Sequence, residues 1–166
     1  FLALDLLLGD KKGRNSISSC NYLKKLSSKG DSLASYLLGL LYESGECVEQ
    51  SIENAEYYYN ESAKQGNSSG YLRIGLCYMR GYANSRNSSK AFGYFEKAAK
   101  LGNSRAILNL GQCYRYGVGV VKNSAKVIEY YEQSAKLGDS LAMCYLGLCY
   151  KNGDLVEINP KKAIDY

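Results

Sequence analysis

The sequence contains no tryptophan, no histidine and no threonine, and only one proline. Without histidine it lacks the commonest general acid–base group and the commonest metal ligand. With Pro160 alone, it has few positions at which a helix is forced to break. None of its six cysteines forms a CxxC pair, so no zinc site is expected, and no motif calls for a cofactor. Long apolar runs are also missing. The opening "FLALDLLLG" is too short to span a bilayer. It has no basic leading region and is interrupted by Asp5, so neither membrane insertion nor a signal peptide is expected from it. The chain starts without Met and stops inside an apolar helical pattern, which points to a piece of a longer polypeptide. What is abundant is glycine and tyrosine, 17 of each in 166 residues, with 46% hydrophobic residues and a net charge of +5. That composition supports a buried core and is not that of a disordered chain.

The dominant feature is an internal repeat. "AKLGNSRAILNLGQCYRYG" begins at Ala99, and "AKLGDSLAMCYLGLCYKNG" begins 36 residues later at Ala135. At this period the chain divides into copies at 31–66, 67–102 and 103–138, a truncated copy at 139–166, and a weaker one in 1–30. Each copy ends on Gly30, Gly66, Gly102 or Gly138, and the next begins Asp31-Ser32, Asn67-Ser68, Asn103-Ser104 or Asp139-Ser140. Glycine just past a helix end accepts the left-handed conformation at little cost. Asp or Asn directly after it is a favoured helix N-cap. A second start lies inside each copy at Asn15, Ser51, Asn87, Asn123 and Asn159. Each copy therefore reads as two helices. The first helices are predicted over 32–44, 68–80, 104–116 and 140–152, and the second over 52–65, 88–101, 124–137 and from 160 onward.

The first helix carries Ala34, Leu38, Gly39 and Tyr42, repeated as Gly70, Ile74, Gly75 and Tyr78, as Ala106, Leu110, Gly111 and Tyr114, and as Ala142, Leu146, Gly147 and Tyr150. These spacings place them on one helical face. A glycine inside a helix costs about 1 kcal/mol against alanine. A whole column of glycines makes sense if another helix presses close there, against the Tyr58-Tyr59, Tyr94-Phe95 and Tyr130-Tyr131 pairs of the second helix.

These columns resemble the Sel-1-like repeat, a relative of the tetratricopeptide repeat, most fully in "AILNLGQCYRYGVGV" at 106–120 followed by "YYEQSAKLG" at 130–138. Lys90-Ala91 and Lys162-Ala163 fill the family's Lys-Ala step. The second glycine of its Gly-x-Gly step is replaced by Cys47, Ala83 and Leu155, which puts the loop shape there in question. The resemblance implies an all-α, right-handed α-α superhelix of about four repeats. It also implies a scaffold that binds a protein or peptide on a concave face lined by first helices, with no catalysis. On that reading the face would carry Leu33, Tyr36, Leu40, Leu72, Arg73, Leu76, Met79, Arg80, Arg105, Leu108, Gln112, Arg115, Leu141 and Lys151. Apolar positions among them suit a helix or extended peptide in a groove. Some relatives are luminal quality-control adaptors, and some cysteine-rich ones carry a β-lactamase assignment. The Ser-x-x-Lys motif with its companions is absent here, and Ser62-Ala63-Lys64 reads as ordinary helix.

Charge is uneven. The copy at 31–66 holds one Lys against seven acids, and the copy at 67–102 holds six Lys/Arg against Glu96 alone. Arg73, Arg80, Arg105 and Arg115 suggest a basic stretch able to meet an acidic segment of a protein partner. The aromatic residues fall in core columns and are not interleaved with arginine as stacking platforms, so nucleic acid is not an expected partner. Cys77, Cys113 and Cys149 share the column of Leu41 and read as buried small hydrophobes. Equivalent positions on stacked helices lie about 8–10 Å apart, beyond the Cα separation of about 7 Å that a disulfide spans. Free thiols and a cytoplasmic location are expected, with Cys20 and Cys47 the one pair able to approach across adjacent repeats. Asn60, Asn67 and Asn87 begin Asn-x-Ser sequons, which would matter in a luminal protein.

Overall fold

The computed structural model describes residues 14–46, 48–81 and 86–166, and every regular element among them is an α-helix. In chain order these are α1 (Arg14–Ser27), α2 (Ser32–Ser44), α3 (Ile52–Lys64), α4 (Ser68–Arg80), α5 (Ser88–Lys100), α6 (Ser104–Tyr116), α7 (Ser124–Lys136), α8 (Ser140–Asn152) and α9 (Pro160–Asp165). They fall into two compact units, one ending at Arg86 and the other beginning at Asn87. In the first unit α1, α2, α3 and α4 pack pairwise in sequence order, and in the second α5 to α9 do the same. This is an all-α helical repeat fold.

The predicted caps explain where the helices begin. Asp31, Asn67, Asn103 and Asp139 accept backbone N–H bonds at the starts of α2, α4, α6 and α8, and Ser51, Asn87, Asn123 and Asn159 do so for α3, α5, α7 and α9. The exception is α1, which is described from Arg14 and includes Asn15 within the helix. The second helices stop one residue earlier than predicted. Gln65, Leu101 and Leu137 leave helical geometry so that the following glycine and Asx residues can donate to the last carbonyls. Gly66 donates to Ala63 O at 3.0 Å and Asn67 to Ser62 O at 3.1 Å, the paired bonds of a left-handed helix stop. The same pattern recurs at Gly102-Asn103 and Gly138-Asp139. One residue thus closes one helix and caps the next.

Within a repeat, the two helices interlock through a glycine and a ring. A Cβ on Gly39 would lie 2.4 Å from the Tyr59 ring, and one on Gly111 would lie 2.7 Å from the Tyr131 ring. Both tyrosines and Phe95 are completely buried. Burial of such a side chain is worth about 1.5–3 kcal/mol, more than the helical glycine costs. Beside each tyrosine ring, a buried serine ties the pair together. Ser62 Oγ donates to Ser32 O at 2.7 Å, and Ser134 Oγ donates to Ser104 O at 2.8 Å. The Tyr42 and Tyr114 rings are only half-buried and stack on Tyr58 and Tyr130 at 5.4 and 5.6 Å.

The loop after the first helix keeps its shape in the last repeat despite its departure from pattern. Gly119 has φ +74° and Leu155 has φ +70°. A Cβ on Gly119 would sit 2.4 Å from Ser88 O, so that position demands glycine, whereas Leu155 turns its side chain onto the core of the second unit. Cys47 and Ala83, in the same column, lie outside the described residues. Cys77, Cys113 and Cys149 are buried free thiols, as their column predicts, and Cys144 is an exposed one. Cys20 departs from the expectation of free thiols throughout, because it is disulfide-bonded.

Candidate functional site

The first-helix residues expected to form a partner surface divide into three groups. Leu33 and Leu141 are exposed, as are Arg80, Arg105 and Lys151. Tyr36, Leu40, Leu72, Arg73, Leu76, Met79, Gln112 and Arg115 are half-buried. Leu108 is 4% exposed and belongs to the core cluster of Val127, Tyr131, Ala142 and Leu146, so it is not a surface residue. It lies where α6 and α8 each meet α7, and closing that seam uses the whole side chain. On α8, Leu141, Cys144, Leu148 and Lys151 follow at helical spacing and are all exposed, giving an apolar row that ends in a cation.

The arginines are not free charges. In the first unit the Tyr59 hydroxyl donates to Glu43 Oε2, and Arg73 lies 3.8 Å from that same oxygen. Arg73 Nε also donates to the Tyr36 hydroxyl at 3.4 Å, and the Tyr36 and Tyr59 rings are 6.0 Å apart. Burial, and then the bond to Glu43, hold the Tyr59 hydroxyl far above its ordinary pKa, so it stays a proton donor. This cluster joins α2, α3 and α4 and satisfies polar groups that packing has half-buried.

In the second unit Arg105 Nε meets Asp139 Oδ2 at 2.9 Å. The Asp139 side chain is 3% exposed, and its other oxygen caps α8 through Leu141 N and Ala142 N. Arg115 pairs with Asp154 and approaches Cys149 Sγ at 3.9 Å. The Tyr131 hydroxyl is buried and has no hydrogen-bond partner among the described residues. Burial pushes it up to about 12, and the Arg115 guanidinium, a polar neighbour short of hydrogen-bond geometry, works against that rise. Sequence columns had placed these arginines on the first helices without their partners Glu43, Asp139 and Asp154. A signal was present: the column of Glu43 and Arg115 is charged in the copies whose second helix carries Tyr59 or Tyr131, and is Met79 in the copy carrying Phe95.

The Sel1 repeat family model matches residues 32–67, 68–103, 104–139 and 140–166. This chain belongs to the Sel1 repeat family. Among solved structures, a Sel1 repeat protein from Oxalobacter formigenes is 27% identical with a TM-score of 0.90, over 99% of this chain and 66% of its own. A protective antigen of uropathogenic Escherichia coli that displays an SLR fold is 25% identical with a TM-score of 0.83, over 99% of this chain and 35% of its own. An immunity protein from Pseudomonas aeruginosa is 27% identical with a TM-score of 0.70, over 99% and 61%. This Sel1 repeat chain thus spans about two thirds of the first of these relatives and about a third of the second. No curated protein matches it. Sel1 repeat proteins are generally protein-interaction scaffolds. Among the described residues of this one, no helix is long and apolar enough to cross a membrane, and no three His, Cys, Asp or Glu side chains are grouped to hold a metal ion. Ser62, in the Ser-Ala-Lys stretch, is fully buried with its hydroxyl committed to Ser32 O, an arrangement unsuited to a nucleophile.

Proposed function

We propose that this Sel1 repeat chain is a non-catalytic interaction module whose contact surface is carried by the first helices of its repeats. The observation that supports this is the exposed row Leu141, Cys144 and Leu148 on α8. The opposite face of α8 is already committed to the core through Ala142, Leu146 and Cys149, so these exposed apolar side chains lie outside the buried core of their unit. Apolar anchors at this spacing, ending on Lys151, suit a helix or extended segment of a protein with an acidic residue near its end. The pairing of Arg73, Arg105 and Arg115 within the chain moves the weight of the surface from charge to these apolar positions.

The test is affinity capture with the wild-type chain and with a Leu141→Asp/Leu148→Asp variant, read by mass spectrometry. The variant is expected to keep its circular dichroism spectrum, because both positions are exposed, and to lose specific captured proteins. Identical captured sets would remove α8 from the contact surface.

A second reading, a luminal quality-control adaptor, is favoured by Cys20. A disulfide persists in oxidising compartments and is rare in the cytoplasm, against the expected cytoplasmic location. Intact mass of the protein from its native source, before and after reduction and deglycosylation, separates the two. A mass unchanged by both treatments returns the chain to a reducing compartment.

A further inference from the structure

We propose that Arg115 and Tyr131 form a receptor for a carboxylate on a bound protein or peptide, and that Asp154 occupies the guanidinium in the free chain. The proposal rests on the interaction reading above and names the chemistry the second unit would recognise.

The argument begins with the repeat. Tyr59 and Tyr131 occupy one column, each with its ring against a glycine of the first helix, Gly39 and Gly111. In the first unit the tyrosine proton goes to the Glu43 carboxylate, beside the Arg73 guanidinium. In the second unit the column of Glu43 holds Arg115, so the acceptor has been replaced by a cation and the Tyr131 proton has none among the described residues. A phenol donor next to a guanidinium is the pattern that a two-oxygen anion satisfies, one oxygen accepting from each group. In the first unit Glu43 serves both groups from within the chain through Oε2 alone, which takes the Tyr59 proton with Arg73 3.8 Å away, and in the second unit a carboxylate brought by a partner would take the equivalent place.

Asp154 shows which anion Arg115 accepts. It reaches the guanidinium from the loop after α8, with its side chain 46% exposed, and leaves Tyr131 unsatisfied. The next residue, Leu155, is held at φ +70°, a region that residues with side chains rarely adopt. The contact that closes the site is therefore made from an exposed loop with backbone strain. A carboxylate that engages both groups competes with it at an advantage. Phosphate is a poorer fit, because Arg115 is already matched by the single charge of one carboxylate.

The test uses the full chain and three fluorescein-labelled peptides in anisotropy titrations at low salt. These are Leu-Leu-Glu-Leu-Leu with an amidated end, Leu-Leu-Gln-Leu-Leu as the free acid, and Leu-Leu-Gln-Leu-Leu amide. The expected result is roughly tenfold tighter binding of a carboxylate peptide than of the neutral amide, the size of one charge-assisted hydrogen bond. Which acidic peptide binds distinguishes a side-chain from a chain-terminal carboxylate. Asp154→Asn is expected to strengthen that binding. Tyr131→Phe, which removes only an unpartnered hydroxyl and leaves the melting temperature in place, is expected to weaken it. Equal affinity for acidic and neutral peptides overturns the proposal, as does the absence of binding by both the wild type and Asp154→Asn, or unchanged binding in Asp154→Asn. If those outcomes occur while Leu141→Asp/Leu148→Asp still loses captured proteins, the interaction surface stands and only the carboxylate receptor falls.

Discussion

Tyr59 on α3 donates its hydroxyl proton to Glu43 on α2, and the equivalent Tyr131 on α7 faces Arg115 with no acceptor among the described residues. Two copies of one architectural position thus differ in whether a buried hydroxyl is satisfied, and that difference is measurable. Tyr59→Phe leaves the half-buried Glu43 without its donor and is expected to cost about 1–3 kcal/mol. Tyr131→Phe removes a hydroxyl that forms no bond and is expected to be neutral or stabilising. Urea denaturation of the two variants checks this. Equal losses at both positions would mean that Tyr131 has an acceptor in solution.

Gly70 stands where the other copies have Ala34, Ala106 and Ala142. Glycine to alanine inside a helix ordinarily gains about 1 kcal/mol. Here the added Cβ would lie 2.5 Å from Tyr59 O and 2.9 Å from Ala63 N, both backbone atoms of α3. Gly70→Ala is therefore expected to destabilise, lowering the melting temperature by several degrees. A rise would show that α4 has room to shift away from α3.

Arg105 pairs with a carboxylate that is almost fully buried. Arg105→Glu places a second negative charge against Asp139 and is expected to lower stability by about 1–3 kcal/mol, because it leaves a buried charged acceptor unpaired. Chemical denaturation of Arg105→Glu, alone and with Asp139→Asn, tests the pairing. The loss is expected to shrink in the double variant. Additive losses would mean that the two side chains do not interact.

Burial pushes the Cys77 and Cys113 thiols from an ordinary 9.0 up to about 11. The folded state thus holds the protonated form. Its stabilising effect is complete below about pH 9 and is lost as pH rises through about 11. Stability should accordingly fall across that interval. In the native protein at pH near 8, iodoacetamide should modify exposed Cys144 and spare Cys77, Cys113 and Cys149 until urea is added. Peptide mass spectrometry reads the result. Equal labelling of Cys77 and Cys144 would contradict their difference in burial.

The helices were legible because their boundaries are written in local chemistry. Asp31, Asn67, Asn103 and Asp139 cap α2, α4, α6 and α8 by accepting from N–H groups two or three residues away, and Gly66, Gly102 and Gly138 stop the preceding helices over a similarly short reach. The surface was legible only in part. Leu33 on α2 and Leu141 on α8 are exposed as expected, whereas Leu108, on the corresponding first helix α6, is buried. Helical periodicity assigns a residue to a face, but the height and tilt of the neighbouring helix decide how much of that face it covers.

By itself, then, the sequence determined the repeat, its two-helix unit and the small-residue column that admits a tyrosine ring, because period, caps and glycine act within a few residues of one another. Tertiary structure alone decided that Arg73, Arg105 and Arg115 are committed to Glu43, Asp139 and Asp154 and that Tyr131 has no acceptor among the described residues. Those pairings join residues some 30 to 40 positions apart, whose side chains meet only once successive helices have packed. A charge in a linear sequence carries no record of which opposite charge will be brought within hydrogen-bonding distance.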